Sequence, residues 1–161
     1  MKKTDKFTFF WKSNECFSNW YMSPFTKDGK TFNCSEQCFM YQKALLFDDQ
    51  EIAQKILEAK HPRDQKALGR KVKNFDNDIW SKMSKTLMYE VNKLKFTQTP
   101  GLLKQLMDTG NTEICETSPY DAIWGIGMDD NHPDVNDKSK WKGQNLLGEV
   151  LTQLREDLKK Q

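Results

Sequence analysis

The pattern of apolar and polar residues along the chain predicts more helix than strand. Helices are predicted over 35–47, over a segment after Asp48 or Asp49 as N-cap, over 62–69 and, as the longest, over about 77–96. One more helix is predicted to begin at Thr99-Pro100, and a last one to span 145–160. On the longest helix, helical spacing predicts this buried stripe: Ile79, Trp80, Met83, Leu87, Val91 and Leu94.

Strands are predicted at only three places. Aromatic residues mark one over 7–11, Asp28-Gly29 is typical of the turn of a hairpin over 25–32, and 112–116 favours a third. The segment 118–127 is predicted to be irregular, and 128–140 to be a polar, acidic loop with little to bury. These elements indicate an α+β fold: a compact, mostly helical single domain with a few short strands.

Composition and length agree with one soluble domain. The chain has 161 residues, of which 37% are hydrophobic and 30% charged, enough for one core over about 7–160. No apolar run reaches the length of a membrane span, and the N-terminus lacks the apolar stretch of a signal peptide. We therefore expect a cytosolic protein without membrane contact, with its four cysteines as thiols.

The charge is unevenly distributed, although the net charge is only +2. Between Lys55 and Lys73 there are seven Lys or Arg and two acids, whereas 107–137 holds eight acids and no Lys or Arg. Such a division suits a site that holds a phosphate on one wall and performs acid–base work on another. Ordinary solvated helix faces would give the same counts.

The helix predicted to begin at Ser35 as N-cap carries the most informative pair of residues. Glu36 and Lys43 are seven positions apart, which places them on one helix face, two turns and roughly 10 Å apart along the axis. Apolar residues between them predict that part of this helix is buried. The pair is therefore either a buried ion pair, an active site, or a first-turn acid with a surface lysine.

Several familiar kinds of site are disfavoured. The two histidines, His61 and His132, stand apart beside prolines, and Cys34 and Cys38 lack further ligands to complete a zinc site. No glycine-rich phosphate loop and no serine with an obvious histidine base is present. Carboxylates, lysines and aromatic residues remain as the candidate chemistry, and they require no metal or organic cofactor.

The segment 116–127 is the second candidate. It places Trp124 beside Gly125, and Gly127 follows two positions later, so the backbone can approach a ligand closely. Trp124 is a candidate to stack on a flat ring, although a buried tryptophan in the core is the commoner role. Near the C-terminus, Asn145 is predicted to cap a helix whose N-terminus can bind an anion.

Taken together, these motifs resemble the NADAR family. They occur in that family's order, from about Phe9 to Leu158: Phe17-Ser18-Asn19-Trp20-Tyr21, Ser35-Glu36-Gln37 with Gln42-Lys43-Ala44, Leu68-Gly69-Arg70, Lys95-Phe96, Glu116 to Gly125, and Asn145-Leu146-Leu147-Gly148. The family includes N-glycosidases of riboflavin biosynthesis intermediates and hydrolases that remove ADP-ribose from guanine bases. Its fold is a compact, mostly helical α+β domain.

The resemblance implies cleavage of the C1–N bond between a ribose and an amino nitrogen. By motif, Lys43 would attack C1 and form a Schiff base, Glu36 would be the acid/base, and Asp121 would hold a hydroxyl or assist proton transfer. The implied substrate-binding residues are Asn19, Trp20, Arg70 for a phosphate, Trp124, Gly125 and Asn145.

The chemistry of an N-ribosylated amine supports this route. It opens to an imine, and a neutral lysine can then replace the departing amine, provided that desolvation lowers the lysine pKa. Glu36 opposes this by stabilising the ammonium, unless it is protonated. A rival route flanks an oxocarbenium ion with Glu36 and Asp121 and needs no lysine nucleophile.

Three functions therefore remain open. The first is an N-glycosyl hydrolase acting on ADP-ribosyl-guanine, in DNA or RNA, or on a phosphoribosylamino-pyrimidine of riboflavin synthesis. The second is a module that binds ADP-ribose or a nucleotide without turnover. The third, a structural nucleic-acid-binding protein, is disfavoured by the weak net charge. The oligomeric state is not indicated.

Overall fold

A computed structural model describes all 161 residues. The chain forms two compact units: a terminal unit of Met1–Ser18 and Pro100–Gln161, and a middle unit of Asn19–Thr99. Six α-helices and five short strands confirm the predicted α+β class. The single domain over about 7–160 stays a prediction.

The terminal unit contains a three-stranded sheet. Its strands are β1 (Lys2–Lys3), β2 (Phe7–Phe10) and β5 (Glu113–Glu116), in the order β1-β2-β5. Strand β2 pairs with β1 antiparallel and with β5 parallel, so that Phe10 lies opposite Glu116. All four residues of β2 are buried, because this strand lies between two others and its aromatic side chains fill the core.

Two helices complete the terminal unit. Helix α5 spans Pro100–Met107, and α6 spans Leu146–Lys159 and packs on β5. The loop 128–140, predicted to bury little, contributes Met128 and Val135 to a core cluster with Phe7 and Phe9. This prediction was therefore wrong, because two isolated apolar side chains suffice to dock an otherwise acidic loop.

The middle unit consists of a hairpin and four helices. Strands β3 (Phe25–Lys27) and β4 (Lys30–Phe32) pair around Asp28 and Gly29, which have φ angles of 52° and 78°, as the predicted turn requires. The helices are α1 (Ser35–Leu46), α2 (Gln50–Glu58), α3 (Pro62–Gly69) and α4 (Asn77–Gln98). Helix α1 packs against each of the other three.

The predicted stripe on α4 was largely wrong. Ile79 and Met83 are 45% and 38% exposed. The buried face is instead more polar than apolar spacing indicates, and it consists of Ser84, Met88, Val91, Asn92, Lys95 and Phe96. A helix that buries an amide and an ammonium among its core residues cannot be read from hydrophobic periodicity.

The predicted N-caps have different outcomes. Ser35 is the first residue of α1, whose N-cap is Cys34 without a side-chain bond; the Glu36 N–H donates to the Asn19 carbonyl instead. Asn145 holds the predicted N-cap position of α6 in a left-handed conformation, φ 54°, but its side chain makes no capping hydrogen bond. Asp49, by contrast, caps α2 as predicted and accepts from the Ile52 N–H at 3.1 Å.

The helices give no sign of a membrane segment: none is both long and apolar enough to cross a bilayer.

Candidate functional site

Lys43 is the amine around which the candidate site of the middle unit is built. It lies in the last turn of α1 and is half-buried. Its Nζ lies 4.8 Å from the ring centroid of Phe75 and 5.4 Å from that of Trp80. Two aromatic faces therefore remove water from one side of the amine while offering it cation–π attraction.

Burial and the neighbouring charges together lower the pKa of Lys43. Burial lowers the pKa of Lys43; the negative charge of Glu36 raises it, and the positive charge of Arg70 lowers it again. The pKa lies below its ordinary value, because burial and Arg70 outweigh Glu36. A nucleophilic amine needs this balance.

Glu36 is held in the first turn of the same helix. Its side chain is only 7% exposed. Its backbone N–H donates to the Asn19 carbonyl at 2.9 Å, and one residue later the Gln37 Oε1 accepts from the Asn33 N–H at 2.7 Å. The first of these hydrogen bonds joins the first turn of α1 to the segment that carries Asn19 and so fixes the backbone position of Glu36.

Asn19 and Trp20, both predicted as substrate-binding, lie in this unit as well. The Asn19 Nδ2 donates to the Met88 Sδ at 3.4 Å, whereas its Oδ1 is buried without a hydrogen-bond partner. Trp20 makes an edge contact with His61, with ring centroids 6.1 Å apart. An amide oxygen that lacks a donor inside a protein is free to accept from a ligand or a water.

Sequence reasoning gave no role to the buried polar face of α4. Lys95 is fully buried, with its Nζ 5.8 Å from the Tyr21 ring centroid. Burial raises the pKa of the Cys34 thiol to about 11; the charge of Glu36 raises it and that of Lys95 lowers it. Glu36 and Lys95 both act on the pKa of Cys34, so both charges lie within electrostatic range of this thiol.

Asn92 belongs to the same face. It is fully buried, its Nδ2 donates to the Met88 carbonyl at 3.0 Å, and its Oδ1 has no partner. The Ser35 Oγ is a third buried oxygen without one. The only available signal in the sequence for this face was Lys95-Phe96 among the family-like motifs.

In the terminal unit, Asp121 organises the segment 116–127. Its Oδ1 accepts from the Ile123 N–H at 2.9 Å and from the Trp124 N–H at 2.8 Å. The carboxylate thus fixes the backbone beside Trp124, which is itself half-buried. The second oxygen, Oδ2, makes no hydrogen bond and remains open to a ligand.

Gly125 and Asn145 are bound into the protein itself. A Cβ on Gly125 would lie 3.0 Å from the Asp121 and Glu116 carbonyl oxygens. Asn145 is 2% exposed; its Oδ1 accepts from the Glu116 N–H and its Nδ2 donates to the Ile114 carbonyl, both at 3.1 Å. Asn145 therefore joins the start of α6 to strand β5, and its predicted substrate contact stays a prediction.

The structure thus distributes the predicted site residues over both units. The middle unit brings Glu36, Lys43 and Arg70 within electrostatic range of one another and also holds Asn19 and Trp20. The terminal unit holds Asp121, Trp124, Gly125 and Asn145. Each group is consistent with ligand binding, and the assignment of both to one reaction stays a prediction.

Comparison with known proteins identifies relatives over almost the whole chain. A family model described as the NADAR domain matches residues 9–159. N-glycosidase R617 of Acanthamoeba polyphaga mimivirus is 41% identical, with 96% of this chain and 98% of the relative covered. Protein irg-1 of Caenorhabditis elegans is 40% identical, with 97% and 81% covered.

Two bacterial proteins extend the comparison. Riboflavin biosynthesis protein VVA0006 of Vibrio vulnificus is 31% identical over 88% of this chain and 35% of its own length. The NMR structure of the E. coli protein YbiA is similar in fold, with a TM-score of 0.79 and 28% identity; 98% of this chain and 88% of that chain are covered.

Proposed function

Because the chain belongs to the NADAR family, we propose that it is an N-glycosidase that cleaves the C1–N bond between a phospho- or ADP-ribose and an amino nitrogen of a base. Its relatives include proteins named N-glycosidase, which supports a hydrolase acting on N-glycosyl bonds. In this proposal Lys43 is the nucleophile, and the enzyme acts in the cytosol.

The observation that carries the proposal is the environment of Lys43. Its amine is half-buried against Phe75 and Trp80, and its pKa is lowered by burial against the opposing charge of Glu36. A lysine kept only for solubility would have no reason to be desolvated between two rings. A larger neutral fraction at neutral pH is what an amine nucleophile needs.

The proposed reaction proceeds by exchange of amines at C1. The ribose ring opens as the C1–O bond breaks and the base nitrogen forms an imine, with a proton delivered to the ring oxygen. The Lys43 nitrogen adds to C1, protons move from it to the base nitrogen, and the C1–N bond to the base breaks. Water then hydrolyses the Lys43 Schiff base, which releases the sugar as an aldehyde that recloses.

Glu36 and Arg70 have supporting roles in this proposal. Glu36 lies on the same helix face as Lys43 and passes protons between the incoming and departing nitrogens. Arg70 is exposed at the end of α3 and binds a substrate phosphate, while its charge lowers the pKa of Lys43. Asn19 offers its buried, unpaired Oδ1 to a substrate donor beside Trp20.

The terminal unit contributes the remaining proposed contacts. The open Oδ2 of Asp121 accepts a hydrogen bond from a sugar hydroxyl or takes part in proton transfer, and Trp124 shapes the pocket for sugar or base. The proposed role of Gly125 and Asn145 is to hold the backbone of this segment in place for the substrate.

Two substrates are considered. ADP-ribosyl-guanine in DNA or RNA is the first, favoured by the basic Lys55–Lys73 segment that includes Arg70. A phosphoribosylamino-pyrimidine is the second, favoured by similarity to a relative named as a riboflavin biosynthesis protein. A module that only binds ADP-ribose is the alternative function.

The test is product release by the purified full chain. Wild type and Lys43→Ala are incubated with a DNA oligonucleotide carrying ADP-ribosyl-guanine and, separately, with the phosphoribosylamino-pyrimidine, and free sugar phosphate is quantified by mass spectrometry. We expect release from one substrate by wild type only. Binding of either substrate without release would support the binding module, and equal release by Lys43→Ala would exclude the lysine nucleophile.

A further inference from the structure

Two aromatic side chains of the terminal unit lie exposed and in contact with each other. Trp11 is 41% exposed and Tyr120 is 86% exposed. Their ring centroids are 6.0 Å apart, with the planes inclined by 52°. A tyrosine this exposed gains almost nothing for folding, so its ring is available to another molecule.

The backbone beneath both rings is fixed. The Glu15 Oε2 accepts from the Trp11 N–H at 3.2 Å, and the Ser118 Oγ accepts from the Tyr120 N–H at 3.2 Å. The Thr117 N–H donates to the Phe10 carbonyl at 2.8 Å and so links the two segments. Trp11 directly follows β2 and Tyr120 lies four residues after β5, so this hydrogen bond joins the segments that carry the two rings, and ligand binding would order little additional backbone.

A cleft of about 220 Å³ opens beside Trp11, lined among others by Lys12 and Thr117. This is smaller than the about 300 Å³ at which pockets for drug-sized ligands begin, so it suits one planar group and not a whole nucleotide. Lys12 is exposed, whereas the neighbouring Glu15 carboxylate is already bonded to the Trp11 backbone.

Tyr120 directly precedes Asp121 in the segment 116–127, which also holds Trp124. We propose that Trp11 and Tyr120 form a stacking platform for a nucleobase of a single-stranded nucleic acid, adjacent in sequence to the base that carries the ribose adduct. The proposal rests on the N-glycosidase function, and within it selects nucleic acid over a free pyrimidine as the substrate class.

The chemistry of the platform fits this ligand. Every nucleobase has a flat face that stacks on an aromatic ring without regard to sequence, and Lys12 provides a cation for the adjoining phosphate. The cleft is lined by the cations Lys2 and Lys12 and by the acids Glu15 and Asp130, so few phosphates are neutralised and the affinity depends weakly on salt. Replacement of Lys12 by Gln removes one phosphate contact, so the slope of log K against log salt is expected to become less negative by about 0.7.

The test compares Tyr120→Leu, which keeps an apolar side chain without a ring, with the matched control Tyr120→Phe. Binding of an unmodified, fluorescently labelled single-stranded DNA is measured by anisotropy. We expect Tyr120→Leu to weaken binding about 5- to 150-fold, the range that corresponds to one stacked base. Tyr120→Phe keeps the wild-type affinity within about twofold, because it keeps the ring.

A second measurement separates this proposal from the function on which it rests. The ratio of kcat/KM for ADP-ribosyl-guanine in an oligonucleotide to that for the mononucleotide is expected to fall about 5- to 150-fold in Tyr120→Leu. An unchanged ratio, or no detectable binding of the oligonucleotide by wild type, overturns the platform. Loss of oligonucleotide binding in Tyr120→Leu together with no hydrolysis by wild type sustains the platform and refutes the N-glycosidase.

Discussion

Glu36 and Lys43 act on each other from opposite ends of one buried helix face. The Glu36 charge raises the pKa of Lys43, yet burial of the amine and the charge of Arg70 bring that pKa below its ordinary value. Sequence spacing predicts the proximity of the pair but not the sign of the balance, which is decided by how far the amine is buried.

Glu36→Gln is expected to move the acid limb of the pH profile of kcat/KM to lower pH. Removal of the negative charge removes the influence that raises the pKa of Lys43, so the amine stays neutral at lower pH. The maximal rate is expected to fall about 10²- to 10⁴-fold if Glu36 transfers protons. The matched control is Glu51→Gln, at an exposed acid of α2 that pairs with Lys55; a limb that moves to higher pH in Glu36→Gln would contradict the assignment.

Arg70→Gln is expected to move the acid limb of the pH profile of kcat/KM to higher pH. The Arg70 charge lowers the pKa of Lys43, so its removal returns that pKa toward its ordinary value and less neutral amine is present at a given pH. KM for a phosphorylated substrate is also expected to rise about tenfold, the loss of a charge-assisted hydrogen bond of about 1.5 kcal/mol. Lys71→Gln, one residue further along, serves as the control, and equal effects of both variants would refute a specific role for Arg70.

Asp121→Asn separates the structural from the chemical role of Asp121. Asparagine keeps an oxygen that can accept from the Ile123 and Trp124 N–H groups, so the thermal midpoint is expected to change little. The loss of the charge is expected to reduce kcat/KM at least about tenfold if the second oxygen serves the substrate. Asp121→Ala, which loses both hydrogen bonds, is the comparison; a fall in activity only in Asp121→Ala would leave Asp121 a purely structural residue.

Asn92→Leu is expected to raise the free energy of unfolding by about 1 kcal/mol. The buried Oδ1 of Asn92 has no partner, and an apolar side chain of similar size removes that cost. Denaturant unfolding measures the change. Asn131→Leu, at an exposed asparagine of the 128–140 loop, controls for the change of residue type, and a destabilised Asn92→Leu would contradict the expectation.

The sequence predicted most of the elements because their signals are local. Pro62 begins α3, Asp49 caps α2, and Asp28-Gly29 forms the turn of the hairpin. The residues Glu36, Lys43 and Arg70 were singled out from spacing and from motifs, and the structure brings their charges within range of one another.

What the sequence did not predict depends on contacts distant along the chain. The buried face of α4 includes Asn92 and Lys95, which break the apolar period that a stripe requires. Asn145 follows the pattern of a helix cap, yet its side chain bonds to strand β5, 29 and 31 positions away. Hydrophobic periodicity assigns polar residues to the surface, so it does not predict buried polar residues such as these.

The proposed reaction depends on a covalent bond between Lys43 and C1 of the substrate. The most direct measurement is reduction with sodium borohydride during turnover of ADP-ribosyl-guanine DNA, followed by mass spectrometry of the intact protein and its peptides. We expect a reduced sugar adduct on the peptide that contains Lys43, absent from Lys43→Ala and present in Lys66→Ala, which lacks an exposed lysine of α3. Full turnover without any trapped adduct would contradict the lysine route and favour the carboxylate pair.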